Sequence, residues 1–168
     1  MHAIRLQGPW EYEFFPEAVT KKNALSPPPT SQNVENEVRE ATASGRCRVT
    51  LPLSWRGLFG HQAGRAVFFR RFNRPTRLEA TDDVALILPA DAGEVTLHCN
   101  ETPVPLFAET LAKHTIPGDR WPQLISANLA PCLQTFNEIA ITIDFDPSRD
   151  WTIGGGLWRP VRLVIWEG

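Results

Sequence analysis

Apolar and polar residues alternate along much of this chain, and a period of two is the mark of a half-buried strand. In the opening Leu6-Gln7-Gly8-Pro9-Trp10-Glu11-Tyr12-Glu13-Phe14, residues Trp10, Tyr12 and Phe14 share one face, with Glu11 and Glu13 on the other. Glu94 to Asn100 sets Val95, Leu97 and Cys99 inward against Thr96, His98 and Asn100. The clearest run is Asn137 to Phe145, where Ile139, Ile141, Ile143 and Phe145 oppose Ala140, Thr142 and Asp144. Pro160 to Trp166 turns Val161, Leu163 and Ile165 inward. Further extended pieces are expected at Arg46 to Leu51, at Arg65 to Arg74 (ended by Pro75), in the apolar run Val84 to Leu88, and in short stretches between Thr102 and Gln123. The pattern predicts about eight strands at roughly regular spacing, an all-β sandwich or jelly roll. Ala127 to Leu133 reads as one helical turn, with Ser126 or Asn128 near its start.

Residues 16–45 break this rhythm. Ser26-Pro27-Pro28-Pro29-Thr30-Ser31-Gln32-Asn33 reads as an extended surface loop, and Val34 to Ala43 is polar with a faint helical rhythm. The stretch is read as a flexible insertion within a single domain spanning 1–168. The 15 prolines and 11 glycines suit short strands and loops rather than long helices.

The 168 residues are enough for one domain with its own core. A formal net charge of −2 gives no bulk attraction to nucleic acid or anionic lipid, so neither is expected as a partner. No apolar run approaches the roughly 20 residues that cross a bilayer. The opening Met1 to Gln7 has no apolar signal core, so a cytoplasmic location is expected. Cys47, Cys99 and Cys132 show no C-x-x-C spacing and read as small, partly buried hydrophobes in a reducing compartment.

Several segments, in order, resemble the N-terminal sugar-binding domain of glycoside hydrolase family 2, the group of β-galactosidases, β-glucuronidases and β-mannosidases. Leu6-x-Gly8-x-Trp10-x-Tyr12-x-Phe14 is similar to that family's L-x-G-x-W-x-F. Val49-Thr50-Leu51-Pro52-Leu53-Ser54-Trp55 is similar to V-P-x-x-W, and Gly64 to Phe72 to G-x-x-W-Y-R-R-x-F. Val95 to Asn100 resembles V-x-L-N-G; Ile125-Ser126-x-x-Leu129 with Asn137 to Ile141 resembles D-I-T-x-x-L followed by N-x-L-x-V. Gly155 to Leu163 resembles G-G-I-x-R-x-V-x-L. Glu101, Leu124, Phe68 and Phe69 depart from the family's usual residues. The resemblance implies a galactose-binding-domain-like jelly roll that binds carbohydrate without catalysing. The family's catalytic glutamates lie on a barrel of about 250 residues that this sequence does not contain. It also implies two alternatives: an interaction domain that docks on a separate glycoside hydrolase chain or on itself, with Phe59, Phe107 and Trp166 exposed, or a fragment of a longer hydrolase.

The residues themselves offer little catalytic chemistry. Retaining glycoside hydrolysis needs two carboxylates about 5 Å apart, and the densest acidic groups, Asp82-Asp83 and Asp146 with Asp150, read as turn residues. There is no G-x-S-x-G nucleophile elbow. Gly154-Gly155-Gly156 lacks the phosphate-loop pattern and reads as a tight strand entry or a close backbone approach. No cofactor is expected; the related modules imply at most a structural calcium, for which Asp82, Asp83 and Asp91 are the candidates.

A Trp face can pack on the C–H patches of a sugar while polar groups take its hydroxyls. Trp10 and Trp158 fall in core-like rhythm. Trp55, Trp121 and Trp151 lie in loop-like segments and, with His61, are the candidate ligand-binding residues. Asp150 joins them because it matches an Asp that, in some β-galactosidases of the family, reaches the active site of the adjoining barrel. Arg70 and Arg71 alternate across one strand, and a buried one is expected to pair with an acid.

Overall fold

The computed structural model describes residues 1–17, 45–89, 93–109, 124–149 and 155–168. Among them are eleven strands: β1 (His2–Arg5), β2 (Trp10–Pro16), β3 (Cys47–Val49), β4 (Gly64–Asn73), β5 (Asp83–Pro89), β6 (Glu94–Cys99), β7 (Thr102–Val104), β8 (Phe107–Glu109), β9 (Leu124–Asn128), β10 (Phe136–Phe145) and β11 (Arg162–Trp166). One short helix, α1 (Trp55–Phe59), and a 3-10 turn (Ala130–Cys132) complete the described elements. The expected all-β class holds. β7 and β8 fall in the short stretches expected between Thr102 and Gln123; the strands beyond the expected ones are β1 and β9.

The strands form two antiparallel sheets, ordered β1-β11-β5-β9-β8 and β3-β2-β4-β10-β6-β7. The chain crosses between them after β1, β4, β5, β7, β9 and β10, the winding of a jelly roll. Most of the expected insertion at 16–45 lies outside the described residues.

The alternation translates directly into burial. Ile139, Ile141 and Ile143 of β10 are buried, and they meet Trp10, Tyr12, Phe68, Leu97 and Cys99 from their own sheet. Val84, Leu86, Leu88, Ala127, Leu163 and Ile165 close the core from the other sheet, with Val161 just before β11. β5 and β11 carry apolar residues on both faces. Ile87, Val164 and Leu124 form a second cluster, with Ala85 and Trp166 packed against it. Double-sided burial explains why Val84 to Leu88 reads as an unbroken apolar run.

Two local readings are corrected. The helical turn expected over Ala127 to Leu133 is instead strand through Asn128, because Ala127 is buried opposite Leu86; only Ala130–Cys132 turns, with Asn128 Oδ1 accepting from Ala130 N at 3.0 Å. The loop after Ser54 contains α1, whose start is capped by Ser54 Oγ accepting from Gly57 N at 3.1 Å.

Candidate functional site

The structure separates the expected ligand residues. Trp55 is completely buried, which corrects its placement on a ligand-facing loop. α1 turns the segment back on itself and carries the indole into the core. There it packs edge-on against Phe14 and Phe59, at centroid distances of 5.7 and 4.7 Å, and against Phe145 at 5.3 Å. Its Nε1–H donates to Gln62 O at 2.8 Å, so the polar atom of the indole is engaged. His61 lies on the surface, its Nε2 3.2 Å from Arg56 Nη2. Trp121, Asp150 and Trp151 lie outside the described residues, as does Asp91. Asp82 shapes a turn: its carboxylate accepts from Glu79 N at 2.8 Å and from Gly168 N at 3.4 Å.

An open cleft of about 1000 Å³ lies at the end of the six-stranded sheet. Phe15, Arg65, Glu94 and Asp144 bring β2, β4, β6 and β10 to its wall, in one cross-strand row set by the registers Phe15↔Arg65, Arg65↔Asp144 and Asp144↔Glu94. Phe15 keeps half its surface exposed. Asp146 and Arg149 extend the wall to the point where the chain continues into Asp150 and Trp151. Backbones meet closely here. A Cβ on Gly93, at φ +126°, would sit 2.6 Å from Asp144 O. One on Gly155, at φ +55°, would sit 2.3 Å from the Phe145 ring. Of the Gly154-Gly155-Gly156 run, read as a tight strand entry or a close backbone approach, Gly156 at φ +68° meets another stretch of backbone: a Cβ there would sit 3.0 Å from Trp55 N.

The charged groups of the cleft are held in place. Arg65 Nε donates to both Asp144 oxygens, at 2.9 and 3.2 Å, and this hydrogen bond raises the Arg65 pKa. Asp146 accepts from Ser148 Oγ at 2.7 Å and from Ser148 N at 2.9 Å, and Arg149 Nε lies 3.2 Å away. The Ser148 hydroxyl, then its amide, then the Arg149 charge hold the Asp146 carboxyl below the usual carboxylate range. A carboxyl held ionised in this way accepts hydrogen bonds from hydroxyls. A general acid for glycoside cleavage needs the opposite shift.

A second cavity, of about 470 Å³, lies beside Phe136 and Arg71 over a buried amide network. Asn137 Oδ1 accepts from Gln134 N at 2.7 Å and from Asn100 Nδ2 at 3.0 Å, while Asn137 Nδ2 donates to Gln134 O at 2.8 Å. Asn100 Oδ1 in turn accepts from Glu138 N at 2.9 Å. These bonds close the turn ahead of β10. No spacing in the sequence announces them, because the two asparagines are brought together only by the pairing of β6 with β10.

The two arginines of β4 reverse the expected pattern. Arg71, on the exposed face, is the one paired with an acid, its Nε donating to Glu138 at 2.7 Å. Arg70 reaches inward and donates to the Pro9 carbonyl, and burial lowers its pKa. Of the expected exposed aromatics, Phe107 is exposed, Phe59 is buried beneath Tyr12 and Phe14, and Trp166 is half-buried. Phe136 is more exposed than any of them, at 74%.

No family model and no curated protein matches the sequence. Solved structures match its fold. An FMN-binding β-glucuronidase from Facaelibacterium prausnitzii L2-6 superposes with a TM-score of 0.59 at 18% identity, over 98% of this chain and 22% of its own. A β-glucuronidase from Ruminococcus gnavus gives 0.62 at 15% identity, over 98% and 29%. A glycosyl hydrolase family 2 member from Bacteroides cellulosilyticus DSM 14838 gives 0.60 at 14% identity, over 98% and 21%. This chain thus spans less than a third of each of these enzymes. Its architecture is the one that these glycosidases use for a fraction of their length.

Proposed function

We propose that this chain is a non-catalytic carbohydrate-binding domain of the glycoside hydrolase family 2 type. The observation that carries the reading is the open cleft at the end of the six-stranded sheet. It combines a half-exposed aromatic face at Phe15 with a pre-positioned guanidinium–carboxylate pair, Arg65 and Asp144. Such a pair offers donors and acceptors in fixed directions, the chemistry that reads sugar hydroxyls, and the ring offers a surface for C–H groups. The sequence motifs and the shared architecture support the same family type. Asp150 and Trp151 follow Arg149 directly and are proposed as further contacts; the same role is proposed for Trp121.

Titration of the protein with galactose, glucuronate, mannose and oligosaccharides, followed by backbone amide NMR, tests this reading. Shifts are expected at Phe15, Arg65 and Asp144, with weakened binding in Phe15→Ala. A panel that moves no amide at the cleft would overturn the proposal.

One observation favours a second reading, docking on a separate glycoside hydrolase chain: the matched enzymes carry this architecture as part of far longer chains. Phe136 and Phe107 would then belong to the contact. Co-sedimentation with a family 2 barrel checks it; no complex, with sugar binding intact, favours the first reading.

A further inference from the structure

Phe136, Glu138, Ala140, Thr142 and Asp144 are alternate residues of β10, so they share the outer face of the six-stranded sheet, opposite the buried isoleucines. Register sets a β4 partner beside each: Asn73, Arg71, Phe69, Val67 and Arg65, in that order. Phe15 joins the same face through its pairing with Arg65. The outward residues of the cavity at Phe136 and of the cleft at Phe15 therefore lie on one strip, at its two ends. From Phe136 to Asp144 that strip runs roughly 27 Å at the ordinary strand rise.

The two ends match in kind. Each sets an exposed phenyl ring beside a guanidinium held on a carboxylate. At one end Arg71 Nε lies 2.7 Å from Glu138 Oε2; at the other Arg65 Nε lies 2.9 Å from Asp144 Oδ1. Asn73, exposed and directly across from Phe136, adds a side-chain amide. Between the ends the β10 residues on this face are small, Ala140 and Thr142, and half-buried. Beside Ala140 the neighbouring strands carry Phe69, with Arg46 stacked over it at 3.4 Å, and His98. The floor is low and these side chains border it.

We propose that this strip binds a linear, uncharged glycan laid along β10, with one sugar ring on Phe136 and another on Phe15. The inference rests on the reading of the Phe15 cleft as a sugar site and extends it from a single sugar to a chain. Each phenyl face takes a C–H patch, and the ion pair beside it takes hydroxyls in fixed directions. Once one end is engaged, the other meets its sugar at high effective concentration. The guanidiniums of Arg46, Arg65 and Arg71 are already matched to Glu13, Asp144 and Glu138, which favours an uncharged chain over a polyuronate.

The test is titration of the whole chain with mannose, glucose and galactose and with their linear β-linked hexasaccharides, read by calorimetry and backbone amide NMR. At least one hexasaccharide is expected to bind about ten-fold or more tightly than its monosaccharide. It should shift the amides of Asn73, Phe136 and Thr142 together with that of Arg65. Phe136→Ala is expected to erase most of the gain in affinity. Thr142→Arg, which raises the floor midway, should do the same. Hexasaccharides that shift only the cleft amides, with no gain in affinity, would overturn the extended strip and leave the cleft reading standing. No shift with any probe would overturn both. Dimers in light scattering that persist at saturating hexasaccharide, with the Phe136 and Thr142 amides unmoved, would assign the strip to a second copy of the chain and overturn the proposal.

Discussion

At the residue scale, the large side chains divide by whether a partner exists inside. Trp55 is enclosed by aromatic rings and its N–H is engaged, so it acts as an anchor of the core. Trp55→Ala is expected to cost about 3–5 kcal/mol in chemical denaturation, the range for emptying a large buried aromatic site. A loss below about 1 kcal/mol would contradict its enclosure. Asn137 is almost wholly buried, and its amide closes a turn with three short hydrogen bonds. Asn137→Ala leaves those partners unsatisfied and is expected to cost about 1–3 kcal/mol by the same measurement.

Asp146 is half-buried at the surface, and its effect shows in pH dependence instead. Its folded pKa lies below its ordinary value of 3.8. The unfolded chain therefore binds the proton first as pH falls. The contribution of Asp146 is complete above the ordinary carboxylate range and is lost as pH drops through its lowered folded value. Asp146→Asn should flatten the acid limb of the stability profile; an unchanged limb would mean that the Ser148 contacts do not persist in solution.

At the scale of elements, β10 is the centre of the six-stranded sheet. It pairs along all of its length with β4, from Phe136↔Asn73 to Phe145↔Gly64, and with β6 on its other side. Its inward isoleucines are buried. Amides of Ile139 to Ile143 should therefore exchange with solvent only on global unfolding, and those of the edge strands β1, β3 and β7 much sooner. Hydrogen exchange read by mass spectrometry checks the order; equal protection across the sheet would contradict it. The outer face of this sheet is tied by charge. Arg46 stacks over Phe69 at 3.4 Å and lies 3.1 Å from Glu13 and 3.6 Å from Glu11. Such partly exposed pairs contribute little individually, so this face is a patterned surface more than a source of stability.

At the scale of the whole molecule, two sheets share one core and leave their loops and strand ends as the places for recognition. The described carboxylates of the large cleft that have resolved partners, Asp144 and Asp146, are committed to Arg65, Ser148 and Arg149. On the proposed function, the chain alone should release no nitrophenol from nitrophenyl galactosides, glucuronides or mannosides. Turnover that survives repurification and is lost in Asp146→Asn would make this chain an enzyme.

The alternation of Trp10, Tyr12 and Phe14, and of Ile139, Ile141 and Ile143, determined by itself that the chain builds half-buried strands around one core, because a period of two puts every second side chain on the same face. The doubly buried β5 was legible as an apolar run, and the glycine run ending at Gly156 as a tight strand entry or a close backbone approach. Partnership across the chain was not legible. Trp55 in an apparent loop, Arg70 against a backbone carbonyl and the Asn100–Asn137 network all join residues distant in sequence. Strand register decides which of them meet, and register is set by the packing of the whole core rather than by any local pattern.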